Sequence, residues 1–144
     1  MIVNDKSKIK VKNINSLDCY KNLKEINNAK LIDVRTESEW RFVGVPDLTA
    51  IEKKTIFISW QFYPKMNRNN DFHNEIVKFK IKKDDLIFII CRSGSRSLSA
   101  AQYLTTLNYK KCINVCDGFE GSKDSNSHRS QINGWKYNQL PWKQ

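Results

Sequence analysis

The run Leu86-Ile87-Phe88-Ile89-Ile90-Cys91 constrains this chain more than any other feature. It is far short of the ~20 apolar residues that a membrane helix needs. It also lacks the apolar–polar alternation of a strand with one wet face. Strands buried on both faces read as continuous apolar runs. The run therefore predicts a central strand, covered above and below. Leu31-Ile32-Asp33-Val34, Thr55 to Trp60 and Cys112 to Val115 read as further strands, and Ile9-Lys10-Val11 as an edge strand.

Helix-like segments lie between these runs. Ser16 is placed to cap a helix carrying Leu17, Tyr20, Leu23 and Ile26. Glu37 to Phe42 reads as a short helical turn. Phe72, Ile76 and Phe79 recur at helical spacing, as do Ala100, Ala101, Leu104 and Leu107. Strand–helix alternation predicts an α/β fold with a central, mainly parallel sheet flanked by helices. In such sheets, sites form at the carboxyl ends of strands. That selects Asp33-Val34-Arg35 and Cys91-Arg92-Ser93-Gly94.

The 144 residues fit one domain. Residues 1–121 form its expected core. Residues 122–144 form a polar loop, Ser122 to Gly134, and an aromatic tail, Trp135 to Trp142, docked on the same domain. The formal charge of +10 raises nucleic-acid binding as a class. However, 19 of the 25 cations are Lys, spread along a chain rich in Asn and Ile. No basic arm forms, and the charge reads as a solvated surface. Neither nucleic acid nor a membrane is an expected partner.

The cysteines, at 19, 91, 112 and 116, contain no C-x-x-C pair, and His73 and His128 lie far from them. This is a poor zinc set, and no metal is expected. Met1 to Lys8 carries no apolar signal region, so a reducing cytoplasm with free thiols is the expected setting.

The segment Cys91-Arg92-Ser93-Gly94-Ser95-Arg96-Ser97 joins the best strand to a helix. Ser97 is placed to cap that helix. Gly94 permits the torsions of a tight curl, whose amides form a nest around the sulfur. The helix N-terminus adds positive potential, and Arg92 and Arg96 add full charges. Each of these stabilises a thiolate over a thiol. The same cradle suits an anion the size of sulfate or thiosulfate. Asp33 and Arg35, at the neighbouring strand end, are supporting candidates, and Arg35 is expected to pair with Glu39 or another carboxylate. Trp60 suits either a pocket mouth or the core. Cys112 and Cys116 are candidate resolving thiols, with Cys112 better read as core, and His128 reads as a loop residue.

These motifs together resemble a single-domain rhodanese of a bacterial subtype with a C-R-S-G-x-R-S loop. Leu31 to Thr36 with Glu39-Trp40 is similar to the family's I-D-V-R…E-W/Y motif. Cys91 to Ser97 is similar to its active-site loop, and Asp117-Gly118-Phe119-Glu120-Gly121 to its late glycine motif. Phe42 to Leu48 stands where the family has G-H-I-P-G-A. The resemblance implies a three-layer rhodanese-like fold and a sulfurtransferase needing no cofactor. Cys91 would accept a sulfane sulfur from a small anionic donor such as thiosulfate and pass it to a thiol or an acceptor protein. A persulfide relay with little small-molecule turnover uses the same residues. Related phosphatases and arsenate reductases resemble C-x5-R, with one residue more than Cys91-x4-Arg96, and the shorter loop favours sulfur.

Overall fold

The computed structural model describes residues 9–144, and in it Leu86–Ile90 is the middle of five parallel strands. In chain order the elements are β1 (Lys12–Ile14), α1 (Ser16–Glu25), β2 (Ala29–Asp33), α2 (Glu37–Phe42) and β3 (Val45–Pro46). They continue with β4 (Ile56–Phe57), β5 (Gln61–Phe62), β6 (Asn67–Arg68), α3 (Phe72–Lys78), β7 (Leu86–Ile90), α4 (Ser95–Thr106), β8 (Lys111–Val115) and β9 (Trp142–Lys143). The main sheet runs β1-β8-β7-β2-β4, and every neighbouring pair is parallel. The short pairs β3–β9 and β5–β6 are antiparallel. The α/β fold expected from the alternating pattern is the one observed.

The apolar run has its physical reason in two separate cores. Ile87, Ile89 and Cys91 point to one face, where they meet Ala100, Ala101 and Leu104 of α4 and Phe72 and Ile76 of α3. Phe88 and Ile90 point to the other, among Cys19 and Leu23 of α1, Leu31, Phe119 and Trp135. Side chains alternate along a strand, so a strand with two dry faces needs apolar residues at every position.

Several local expectations shift. The edge strand is Lys12–Ile14, not Ile9–Val11, in register with Ile113 to Val115. Asn15, not Ser16, caps α1, accepting from the Asp18 amide at 2.8 Å. Ser16 is buried and donates from both its amide and its hydroxyl to Asp117, at 2.9 and 2.7 Å. Leu17 is 51% exposed, so the buried face of α1 runs Ser16, Cys19, Leu23. Of Thr55 to Trp60 only Ile56–Phe57 forms a ladder. The chain stays bonded beyond it, because Ile58 and Trp60 donate to the carbonyls of Asp33 and Val34. Phe79 lies past the end of α3, exposed.

Residues 122–134 contain no helix or strand. Trp135 is fully buried; its amide donates to the Gly118 carbonyl at 2.9 Å and its indole N–H to the Pro141 carbonyl at 2.7 Å. Its ring meets Tyr20 edge-on at 5.8 Å. The chain end then pairs with β3. Among the described residues no helix is long and apolar enough to cross a membrane. Met1 to Lys8, where a signal region would start, lies outside the described residues.

Trp135→Ala should lower the unfolding free energy by about 3–5 kcal/mol, the usual cost of a large aromatic cavity. Urea denaturation measures this, and a loss under about 1 kcal/mol would show that the tail adds nothing to the core.

Candidate active site

β7 ends at Ile90, so Cys91 is delivered to the carboxyl edge of the sheet at its centre. The residue is only 1% exposed. Three residues on, Gly94 caps α4 with φ +105° and donates its amide to Cys91 Sγ at 3.1 Å. A side chain at Gly94 would place its Cβ 2.4 Å from the Cys116 carbonyl oxygen. Both the torsion and the space therefore demand glycine. Leu98 makes the first intrahelical bond of α4, to the Gly94 carbonyl. The amides of Ser95, Arg96 and Ser97 thus precede the helical ladder and carry the positive end of its dipole.

Ser97 does not cap the helix, because Gly94 occupies that position. Ser97 sits in the first turn, fully buried, with Oγ 3.2 Å from Cys91 Sγ. Its hydroxyl also meets Asn114 Oδ1 on β8. Of the expected nest, one amide, that of Gly94, donates to the sulfur, and the Ser97 hydroxyl oxygen lies beside it.

The two arginines of the loop differ. Arg96 is tied to Glu39 of α2 by a bidentate pair, at 2.7 and 2.9 Å. Burial disfavours the Glu39 charge, but the hydrogen bond and charge of Arg96, together with the hydrogen bonds from Thr36, outweigh it and hold the carboxyl below its ordinary range. Burial likewise opposes the Arg96 charge, and Glu39 foremost, with Cys91 and Asp33 adding to it, outweighs that and holds the guanidinium above its usual value. Glu39 is itself fixed by Thr36 in a capping box. Arg92 is exposed and, with Arg96, lines a cleft of about 430 Å³ whose other walls include Phe42, Val43, Tyr63 and Met66. Ser93 is half-buried and Ser95 exposed.

Arg35 pairs with Asp33, not with Glu39. Its Nε and Nη2 donate to the Asp33 carboxylate at 3.0 and 2.8 Å, and both side chains are completely buried. Nη2 also donates to the Gly44 carbonyl at 2.8 Å, and the guanidinium lies 4.2 Å from the centre of the Phe119 ring. The late glycine motif clamps the loop from below. Phe119 donates to the Cys91 carbonyl at 2.8 Å, and Glu120 and Gly121 donate to that of Arg92.

Other candidates fall outside this cluster. Trp60 is core, 6% exposed, with Arg68 stacked on it at 3.5 Å. Burial pushes the Cys112 thiol up to about 12. Cys116 is exposed, and its thiol is raised by burial of the sulfur and by Asp117. His128 is exposed in the loop, where its amide donates to Asp124. All four cysteines are free. Among the described residues, no group of three or more His, Cys, Asp or Glu side chains is placed to hold a metal. Reasoning from sequence missed the role of Asn114, which carries no local signal. It left Arg35 open to Glu39 or another carboxylate, and the structure selects Asp33; Thr36-x-x-Glu39 spells a capping box, which already commits Glu39 to α2.

A five-stranded parallel sheet with a cysteine loop leaving its central strand for a helix N-terminus defines a rhodanese-like domain. The chain belongs to the STR4 middle domain family, which residues 12–144 match. An uncharacterized protein of Rickettsia conorii is 44% identical over 135 residues, spanning 92% of this chain and 97% of that protein. A thylakoid rhodanese-like protein of rice chloroplasts is 26% identical over 129 residues, 90% of this chain but 24% of its own length. The crystal structure of Rv0390 from M. tuberculosis superimposes with a TM-score of 0.85 at 36% identity, covering 94% of this chain and 99% of that one. The polysulfide-sulfur transferase of Wolinella succinogenes shares the fold, with a TM-score of 0.63, 19% identity and coverage of 92% and 78%.

The depressed Glu39 carboxyl gives a signed pH effect. Its stabilisation is fully present above the unfolded carboxyl value of about 4.3. It is lost as pH falls through the lower folded value. Glu39→Gln should cost roughly 1–2 kcal/mol at pH 7 and should flatten the acid limb of stability measured by denaturation from pH 6 down to about 3. An acid limb as steep as that of the unsubstituted protein would show that the Arg96 pair contributes nothing.

Proposed function

We propose that this protein is a sulfurtransferase that carries a sulfane sulfur as a persulfide on Cys91. The observation behind this reading is the setting of the Cys91 sulfur. It lies at the carboxyl end of the central strand, held by the Gly94 amide, at the N-terminus of α4. The fold shared with a polysulfide-sulfur transferase supports the class of chemistry.

The reaction has two nucleophilic displacements. Deprotonated Cys91 attacks the outer sulfur of a donor such as thiosulfate. The new bond joins Sγ to that sulfur, the donor S–S bond breaks, and sulfite leaves with its electron pair. The terminal persulfide sulfur carries the negative charge, and the free amides of the first α4 turn offset it. An acceptor, either cyanide or a thiolate, then attacks the terminal sulfur and releases Cys91. Arg92 attracts the anionic donor from the cleft. Arg96, committed to Glu39, keeps the loop closed around the sulfur.

A second reading, transfer to a protein thiol, is favoured by the rim of the cleft. Phe42 is 77% exposed and Tyr63 is 66% exposed, and both line it. Exposed aromatic clusters mark partner surfaces, and the cleft holds far more than a small dianion fills.

Incubation with thiosulfate should add the mass of one sulfur atom to the intact protein, and cyanide should remove it as thiocyanate. Cys91→Ser should abolish both signals, while Cys112→Ser and Cys116→Ser keep them. Sulfur loading that survives Cys91→Ser would overturn the mechanism. Loading of Cys91 without thiocyanate turnover, but with transfer to a cysteine protein, would select the relay.

A further inference from the structure

We infer that Asn114 is a positioning residue that sets which way the Ser97 hydroxyl points, and thereby restrains the Cys91 nucleophile. The inference rests on the reading of Cys91 as the reacting sulfur. It follows from counting donors. The Asn114 side-chain amide has two N–H groups. One donates to Asn13 Oδ1 at 3.0 Å and the other to the Gly94 carbonyl at 3.2 Å. The Gly94 carbonyl can only accept, so the amide cannot be turned over without setting two acceptors against each other. Asn114 Oδ1 therefore faces Ser97 Oγ, and an amide oxygen can only accept.

The Ser97 hydroxyl has a single hydrogen, and Asn114 holds it. Toward Cys91 Sγ, 3.2 Å away, the hydroxyl presents a lone pair. While the Asn114 bond is made, that contact is an S–H donating to oxygen. A deprotonated sulfur in the same place meets a lone pair instead of a donor. It gains the hydroxyl proton only if Ser97 turns away from Asn114. That turn leaves a buried amide oxygen without a partner, which costs free energy. Ser97 is fully buried and Asn114 is 3% exposed, so water does not relieve the cost. The chain Cys91–Ser97–Asn114–Asn13 thus ties the sulfur, through α4 and β8, to the edge strand β1. It holds the free enzyme in a less reactive state and leaves the Gly94 amide as the donor the sulfur meets at once.

The test reads Cys91 directly and does not depend on sulfur transfer. The rate of alkylation by iodoacetamide at pH 7 is followed by peptide mass. Exposed Cys116 serves as the internal control, and unlabelled Cys19 and Cys112 report an intact fold. Asn114→Ala, with Asn114→Val as a variant of strand-favouring shape, should raise the Cys91 rate several-fold and leave Cys116 unchanged. In a Ser97→Ala background the Asn114 substitution should add nothing, since the hydroxyl it directs is gone. Ser97→Ala alone gives a test of sign that preserves the side-chain volume most closely. An accepting Ser97 means that its loss does not slow Cys91, whereas a donating Ser97 means that it does. A slower Cys91 in Ser97→Ala overturns the inference. So does an unchanged rate in folded Asn114→Ala, or an equal rise with and without Ser97. If thiosulfate loading fails while these rates behave as stated, the sulfurtransferase reading falls and the role of Asn114 stands.

Discussion

The Asp33–Arg35 pair is the interaction on which the rest of the site depends. Two full charges lie in the interior with no exposure at all. Desolvation of such a pair is costly, and it is tolerated only when the remaining donors and lone pairs are used. Here the Asp33 carboxylate also accepts from the Arg35 amide, and Arg35 Nη2 reaches the Gly44 carbonyl while the guanidinium covers the Phe119 ring, so that Nη1 alone is left buried without a hydrogen-bond partner. One guanidinium thus binds three pieces of chain that are distant in sequence: the end of β2, the segment entering β3, and the glycine motif beneath the cysteine loop. Removal of either charge would strand the other, so the carboxyl edge of the sheet is fixed as a unit.

From that unit the loop inherits its shape. Phe119, whose ring Arg35 covers, donates through its amide to the Cys91 carbonyl. Its neighbours hold the Arg92 carbonyl, and Gly118 is needed because a Cβ there would lie 2.4 Å from that oxygen. On the far side, Glu39 grips Arg96. The loop is therefore held by backbone bonds below and an ion pair above, and the Gly94 amide stays aimed at the Cys91 sulfur. Preorganised dipoles of this kind act without rearranging as charge moves.

How much of this was legible in the sequence follows from the range of each interaction. The apolar run at Leu86 to Ile90 and the helical spacing of α4 are local, and they were read correctly. So was the placement of Cys91 at a strand end, since strand, glycine and helix lie within a few residues. What stayed open was partner choice across the chain. Arg35 has carboxylates at positions 33, 37 and 39 within reach by sequence, and only the fold, which brings Glu39 of α2 to Arg96 in the first turn of α4, decides among them. Ser16 and Ser97 were both read as caps from their position before apolar runs. In the fold, each is drawn to a distant acceptor, Asp117 or Asn114. A hydroxyl with one hydrogen goes to its best buried acceptor, and no local pattern names it.

The 1% exposure of Cys91 carries a consequence for what can react there. A sulfur sunk below a rim is met only by a partner narrow enough to reach it. In the proposed cycle, a persulfide on Cys91 would extend one bond length beyond a thiol that is only 1% exposed, and the loaded form would be the easier of the two to reach. Reach alone would then favour small donors in the first half of the cycle and admit bulkier acceptors in the second. The depth of one side chain can therefore impose an order on two chemically similar displacements.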